Sequence, residues 1–455
     1  GDHVEIFGTN QNIDTLAQNA DVIIVGAGPA GSSAAIRLAQ NGINAILIDR
    51  GMPVGSKNLS GGVLWGNDLA EIIPNWQEEA PLERYIINKK VGFLSHEDAT
   101  VIDMHFDEWN NFPNAGWSLL RAPFDEWLAF KAQEAGASVL SGINITELIE
   151  EDGKIVGVKQ GNEELRAPVV IIAEGANSRL MLKHDLTYDP GKTRYDHSDY
   201  MIGLKEVFEL DSQIIEERFM LDENQGMAGE FILGNIPDGI KSGGYFYTNK
   251  NTLSVGVVIH LDSFPQNQES SNQNQSYKIV EYFKKHPYIA RLLKDAKPIE
   301  YGAKLIPEYG YNKFPKHYGN GFLVIGDAAG FTFSNGLVIQ GINYAIKSGI
   351  LAADAFLEAK IRNEFTASSL SNYQSKLTKS YIYKDFKKFR NVKKITKNPN
   401  LFHLYPSAIN NGFKEVLTET GEPKGNLLPT ILKNFRKSGA NLISLAKDAL
   451  NFRNL

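Results

Sequence analysis

Asp21–Gly31 reads DVIIVGAGPAG. Four β-formers, Val22, Ile23, Ile24 and Val25, stop at Gly26, and glycines follow at 28 and 31. A helical stretch, Ser32–Gln40, comes next, then a second apolar run, Ala45–Ile48, that ends in Asp49. Strand, glycine turn, helix, strand and acid in this order form a dinucleotide-binding unit. Gly26 allows the tight turn, Gly28 lets backbone N–H groups approach a pyrophosphate, and Gly31 lets helix and strand close on each other. The helix N-terminus adds the partial positive charge that favours phosphate. Expected contacts to an adenine dinucleotide are therefore Gly26, Gly28, Pro29, Ala30 and Gly31, with Asp49 and its neighbour Arg50 at the ribose.

A second motif lies far downstream. Phe322–Phe331 reads FLVIGDAAGF, a buried strand ending in Gly326-Asp327, followed by Asn335, Gly336, Gly341 and a helical pattern over Ile342–Lys360. Asp327 is open to two readings, a helix N-cap or a cofactor contact. The stretch resembles the second FAD signature of glutathione-reductase-like flavoproteins. Paired with the first motif, it makes FAD the expected cofactor rather than NAD.

The bulk properties narrow the field. A chain of 455 residues has room for two domains and a small third. No apolar run reaches the ~18 residues of a membrane span, and the first 20 residues lack the basic and apolar regions of a signal peptide. With no cysteine, disulfides, thiolate nucleophiles and cysteine-ligated iron–sulfur clusters are excluded from this chain. The nine histidines show no metal-binding spacing, and no metal is expected. The net charge of −6 hides an asymmetry: Lys376–Leu455 holds sixteen Lys and Arg against five Asp and Glu. A basic tail on an acidic body suits an anionic surface.

The expected fold class is α/β: a discontinuous Rossmann-type FAD-binding domain with an inserted β-rich substrate domain and a helical C-terminal tail. The FAD-binding domain is assigned to 21–80, 118–180 and 300–370, the substrate domain to 81–117 and 181–299, and the basic helical region to 371–455. Tyr200–Ile259 reads as a separate antiparallel sheet, Gln266–Ser276 as a polar loop, and Tyr277–Leu293 as a helix.

Further segments carry a family resemblance: GSKNLSGGVLW (55–65), LLRAPFDEWL (119–128), AEGANSRL (173–180), GGYFYTNK (243–250) and NPNLFHLYP (398–406). Together with the two motifs above, in order and spacing, they resemble the FixC-type branch of the electron-transfer-flavoprotein:quinone oxidoreductases, which lies near the geranylgeranyl reductases. The resemblance implies an FAD enzyme that accepts electrons from a reduced electron-transfer flavoprotein and passes them to a membrane quinone. It places Gly61, Gly62 and Val63, in the stretch that runs on to Leu64, against the isoalloxazine ring. It adds Gly175, Gly326, Asp327, Asn335 and Gly336 as cofactor contacts. Arg121 is implied to meet the FAD phosphates or ribityl chain; its alternative is a helical ion pair with Asp125, four residues on. The missing cluster implies a separate ferredoxin-like iron–sulfur partner.

Two departures bear on chemistry. Glu174 stands where related hydroxylases have the Asp of an A-D-G motif, which puts nicotinamide use in doubt. Phe246 and Thr248-Asn249 stand where the reductases' signature has Trp and Phe-Pro, which argues against prenyl reduction. Tyr245, Tyr247 and Asn249 are read either as the lining of an acceptor slot or as alternating strand residues; no general acid or base stands out. Two tail segments, Lys376–Lys397 and Leu427–Leu455, set apolar residues among cations, as an interfacial helix on lipid or as an ordinary packed amphipathic helix. The expected location is cytoplasmic, peripheral on the inner face of the membrane, and nucleic acid is not an expected partner. The competing functions are a flavin-dependent prenyl or double-bond reductase, a flavin-bearing docking component of a larger electron-transfer complex, and, ranked last, an aromatic hydroxylase.

Overall fold

A computed structural model describes residues 19–56, 61–265, 272–336 and 338–455. The expectation for the first 20 residues falls almost wholly outside the described residues, as do Lys57–Ser60 of the GSKNLSGGVLW stretch and most of the Gln266–Ser276 loop.

Two large sheets organise the chain. The first has six strands in the order Tyr318–Gly319, Phe322–Val324, Val169–Ile172, Val22–Val25, Ala45–Ile48, Ser138–Leu140. Four of its five pairings are parallel, with Val22 opposite both Val169 and Ala45, and only the Tyr318–Gly319 edge is antiparallel. Val22–Val25 is buried throughout, as a central parallel strand covered on both faces must be. The covering helix begins at Pro29 rather than Ser32, because proline is well suited to the first helical turn, where its missing N–H is not needed. A long helix, Ile342–Arg362, crosses it closely: a Cβ at Gly349 would stand 2.3 Å from the carbonyl oxygen of Ala30.

The second sheet has nine strands. Eight run in the order Lys297–Pro307, Tyr200–Glu209, Thr252–His260, Ser242–Thr248, Gln225–Leu233, Leu82–Ser95, Gly116–Leu120, Gly61–Trp65, and Asp98–His105 is hairpinned onto Leu82–Ser95. It is mixed, not purely antiparallel, since Gln225–Leu233 runs parallel to Leu82–Ser95. The boundaries drawn at 117/118 and 299/300 fall inside Gly116–Leu120 and Lys297–Pro307, and Gly61–Trp65 belongs to this sheet as well. Hydropathy marks strands but not their partners, so those limits missed the pairing. One face, with Leu204, Phe246, Val255 and Val257, packs on the helix Asn272–Lys285. The other face is open to a cavity. The expected helix Tyr277–Leu293 is two helices, Asn272–Lys285 and Pro287–Leu292: Pro287 cannot continue the first, and the His286 imidazole accepts from Tyr288 N at 3.2 Å to cap the second.

Of the two basic tail segments, the first is turned inward. Leu377, Ile382 and Phe386 are buried against the first sheet's core. There Phe386 joins Phe314 and Phe331, whose rings also enclose His317. The carbonyl of Ala329 only accepts, so His317 Nε2 donates to it at 2.8 Å, and the Tyr383 hydroxyl donates to Nδ1 at 2.6 Å. Burial pushes the imidazole from 6.5 down to about 4. Between those values the unfolded chain holds a proton that the folded one does not, so stability falls as pH drops through this window. Unfolding free energies at about pH 7.5 and about pH 5 are expected to differ by about 2 kcal/mol on this account, and His317→Phe should flatten that slope.

Candidate functional site

The first glycine turn is built as steric necessity requires. Gly26 has φ +112°, and a Cβ there would stand 2.0 Å from the carbonyl oxygen of Ala173; a Cβ at Gly31 would stand 1.8 Å from the carbonyl of Gly26. Gly28 is different. A Cβ there would meet only the Arg121 guanidinium, at 3.8 Å, leaving open space against the backbone at the helix N-terminus. The Asp49 carboxylate ties the turn to the strand end, accepting from Ala27 N at 3.1 Å and Gly51 N at 3.0 Å. Burial raises its pKa, while those two donors pull the other way.

Arg121 makes the helical ion pair and is also open to the cavity. It forks onto Asp125 with bonds of 3.1 and 3.0 Å. The Asp125 side chain is wholly buried, so this ion pair fixes the guanidinium beside Gly28. Below it, Gly61–Trp65 pairs with Gly116–Leu120, and a Cβ at Gly61 would collide with the Leu119 carbonyl at 2.1 Å.

The second motif closes the same space. Gly326 N donates to Ser348 Oγ at 3.0 Å, and Gly326 abuts Ala30 of the first helix. Asp327 is not an N-cap: it sits within the single turn Gly326–Ala329 and accepts from the Thr332 hydroxyl at 3.0 Å, with Lys304 Nζ 3.7 Å away.

The two glycine turns and Arg121 face one cavity of about 2030 Å³. Ligand pockets commonly reach about 1,000 Å³, so this one has room for a dinucleotide and a second molecule. Its lining includes Gly26, Gly28, Pro29, Ala30, Asp49, Arg50, Gly61, Gly62, Val63, Arg121, Gly175, Gly326, Asp327 and Gly336. Gly31 stays behind the wall as a packing residue, and Asn335 does not line it; its carboxamide oxygen accepts from Val338 N at 3.0 Å.

The open face of the nine-stranded sheet forms the floor. Tyr245 and Tyr247 lie stacked there, ring centroids 6.2 Å apart, over Gly256, where any Cβ would meet the Tyr245 hydroxyl at 2.4 Å. Asn249 is a correction. It lies just beyond the strand Ser242–Thr248, is fully buried, and donates to Thr252 Oγ1 and Ser254 Oγ at 3.0 Å each, so it is no part of the slot. Sequence reasoning missed three cavity lysines. Lys205 binds Gly61 O at 2.5 Å and the Tyr247 hydroxyl, Lys89 pairs with Glu230 at 3.0 Å, and Lys304 faces Asp327. A lysine at an alternating strand position usually reads as solvent-facing, and only the cavity turns that face into a site.

The far end of the cavity is apolar. Leu432, Phe435, Leu445, Ala449 and Phe452, from the helices Leu427–Lys437 and Leu442–Phe452, wall it with Phe93, Phe402 and Ile409. No helix among the described residues is long and apolar enough to cross a membrane.

Comparison with known proteins agrees with this arrangement. Residues 20–206 match the family model described as pyridine nucleotide-disulphide oxidoreductase, whose disulphide has no counterpart in a chain without cysteine. Residues 200–306 match the ETF-QO ubiquinone-binding model and 393–454 the C-terminal domain of the ETF-QO/FixC family. The probable electron transfer flavoprotein-quinone oxidoreductase YdiS of Escherichia coli is 36% identical, covering 94% of this chain and 97% of its own. Protein FixC of Salmonella typhimurium is 37% identical with the same coverage. A crystal structure of a geranylgeranyl bacteriochlorophyll reductase-like protein from Thermoplasma acidophilum shares the fold, with a TM-score of 0.67 at 21% identity, covering 94% of this chain and 98% of that one. A Rossmann-type glycine turn with Arg121 above it, a second Gly-Asp turn closing the same cavity, and relatives matched over almost their full length establish that this chain belongs to the ETF-QO/FixC family of FAD-dependent oxidoreductases.

Proposed function

We propose that this protein takes electrons from a reduced electron-transfer flavoprotein and passes them through FAD to a membrane quinone, with a small ferredoxin-like iron–sulfur protein as a further partner. The observation that carries the reading is one continuous cavity, running from the dinucleotide turn to helices that are apolar on both sides. The match of residues 200–306 to the ubiquinone-binding model supports the quinone. The absence of cysteine supports a separate iron–sulfur partner.

Bound FAD supplies the two-electron chemistry. Gly26, Gly28, Pro29, Ala30 and Arg121 hold its pyrophosphate, Gly31 keeping the turn closed; Asp49 and Arg50 serve the ribose. Gly61, Gly62 and Val63 lie against the ring system, and Gly175, Gly326, Asp327 and Gly336 complete the cradle. Tyr245 and Tyr247 floor the acceptor slot. The two last helices carry the membrane contact: Leu428 is 71% and Ile443 82% exposed, with Leu442 and Leu450 beside them and Lys433, Arg436, Lys437, Lys447 and Arg453 around them. Apolar side chains ringed by cations suit an anionic lipid surface, and would seat the protein on the cytoplasmic face of a membrane.

Anaerobic visible spectroscopy tests the reading. Enzymatically reduced electron-transfer flavoprotein is expected to bleach the flavin band, and anionic vesicles loaded with quinone to restore it while carrying the protein into the pellet. Bleaching by NADH or NADPH with no response to the flavoprotein would overturn it.

A further inference from the structure

Reducing a quinone to a quinol consumes two protons as well as two electrons; the reduced flavin releases one proton with its electron pair, and a buried slot must provide the other from its own walls. On the cavity floor, Lys205 is 7% exposed on the strand Tyr200–Glu209. Its Nζ donates to Gly61 O at 2.5 Å and to the Tyr247 hydroxyl, and stands 4.7 and 5.4 Å from the ring centres of Tyr247 and Tyr245. An ammonium has three donors, so these two bonds leave one for a molecule in the cavity.

The carboxylates near it are engaged elsewhere. Asp125 holds Arg121, Asp327 takes the Thr332 hydroxyl and faces Lys304, and Glu230 pairs with Lys89. Among the described residues Lys205 forms no ion pair; Glu300, on the neighbouring edge strand, acts on it only as a weaker, more distant charge. A buried lysine without a carboxylate is expensive to keep, and such groups cluster where chemistry is done.

We propose that Lys205, resupplied through Tyr247, is the proton donor to the quinone; this rests on the quinone reading above. For each quinone, two electrons from the reduced flavin, which the donor flavoprotein has charged, are matched by two O–H bonds on the quinone oxygens. One proton comes with the electron pair, because the flavin's own N–H bond breaks as it is reoxidised. The other comes from Lys205, whose N–H bond breaks as the second O–H bond forms; the neutral amine then takes the Tyr247 proton, and that phenol oxygen takes one from solvent. The sum consumes one proton from solution for each quinol. Burial and the Lys304 and Arg121 cations hold the Lys205 pKa well below that of a free lysine, which makes its N–H the readier proton donor. Tyr245, the other titratable group against it, has its pKa raised by burial and stays protonated.

The test uses the full flavin-loaded chain as wild type, K205M, K205R and Y247F. Each protein is reduced with dithionite and mixed in a stopped-flow instrument with a short-chain quinone across a range of pH. Wild type should reoxidise with a rate that falls as pH rises through the lysine pKa. K205M should be slower by on the order of 10²–10⁴-fold and lack that limb. K205R keeps the charge but cannot release a proton, so it should stay slow, and Y247F should slow less and keep the limb. A second readout needs no turnover: the visible band of the oxidised flavin should shift with pH at the same midpoint in wild type and not in K205M. If K205M does not hold flavin, K205R and Y247F carry both readouts. Wild-type rates and pH profile in K205M, or a wild-type rate in K205R, would overturn the assignment alone. Reduced wild type that no quinone reoxidises would overturn the functional reading and this inference with it.

Discussion

Arg121→Ala is expected to cost the protein both its flavin and much of its stability. The guanidinium is all that a Cβ at Gly28 would find within 4 Å, and its hydrogen bonds to Asp125 are the reason it stays there. Removing it leaves the wholly buried Asp125 carboxylate without its countercharge. Breaking a buried pair from one side typically costs ~3–5 kcal/mol. Arg121→Lys separates the two effects. It keeps a positive charge near Asp125 and so most of the stability, but loses the planar fork that suits a pyrophosphate. Flavin content after purification and urea unfolding should therefore fall together in Arg121→Ala, and flavin content should fall further than stability in Arg121→Lys. An alanine variant that purifies with full flavin and an unchanged urea midpoint would refute the role given to Arg121.

Gly26→Ala is expected to be at least as damaging, for reasons that are purely steric. The backbone there has φ +112°, where an L residue pays ~1–2 kcal/mol, and the new methyl would lie 2.0 Å from the Ala173 carbonyl oxygen. That oxygen is main chain at the end of Val169–Ile172, so relief requires the two central parallel strands to part. Overpacking of this kind adds ~1–3 kcal/mol, for a total of about 3 kcal/mol or more, and the turn no longer fits a phosphate. Gly42→Ala is the matched control. It also has positive φ, +75°, but nothing lies within 4 Å of its Cβ, so only the backbone penalty applies. Equal urea midpoints for the two variants would show that the collision at Gly26 is absorbed by relaxation.

These two positions also mark what a reader of the sequence can and cannot see. Val22–Gly31 was legible because a buried parallel strand and a phosphate turn each leave few choices of residue. Arg121 was half legible: ion pair and cofactor contact were weighed as rivals, and the structure places the guanidinium against Asp125 and toward Gly28 together. Of the two readings open to Asn249, the structural one fits: the alternation through Tyr245 and Tyr247 ends at Thr248, and Asn249 turns to Thr252 and Ser254. Lys205 was invisible for the opposite reason. In Leu204-Lys205-Glu206 nothing separates a lysine facing a cavity from one facing water, since the difference is set by Gly61, Tyr247 and Lys304, all distant in sequence. Strand partners were equally beyond reach, which is why boundaries drawn on hydropathy cut through Gly116–Leu120 and Lys297–Pro307.

Leu432 lines the cavity and is also 50% exposed, and Phe452 and Leu455 share this double aspect. A helix two side chains thick has no interior of its own to separate its faces. If the last two helices rest on lipid as proposed, these side chains would be where the chamber meets hydrocarbon. An apolar molecule passing there would exchange one oily neighbour for another instead of shedding its tail into water.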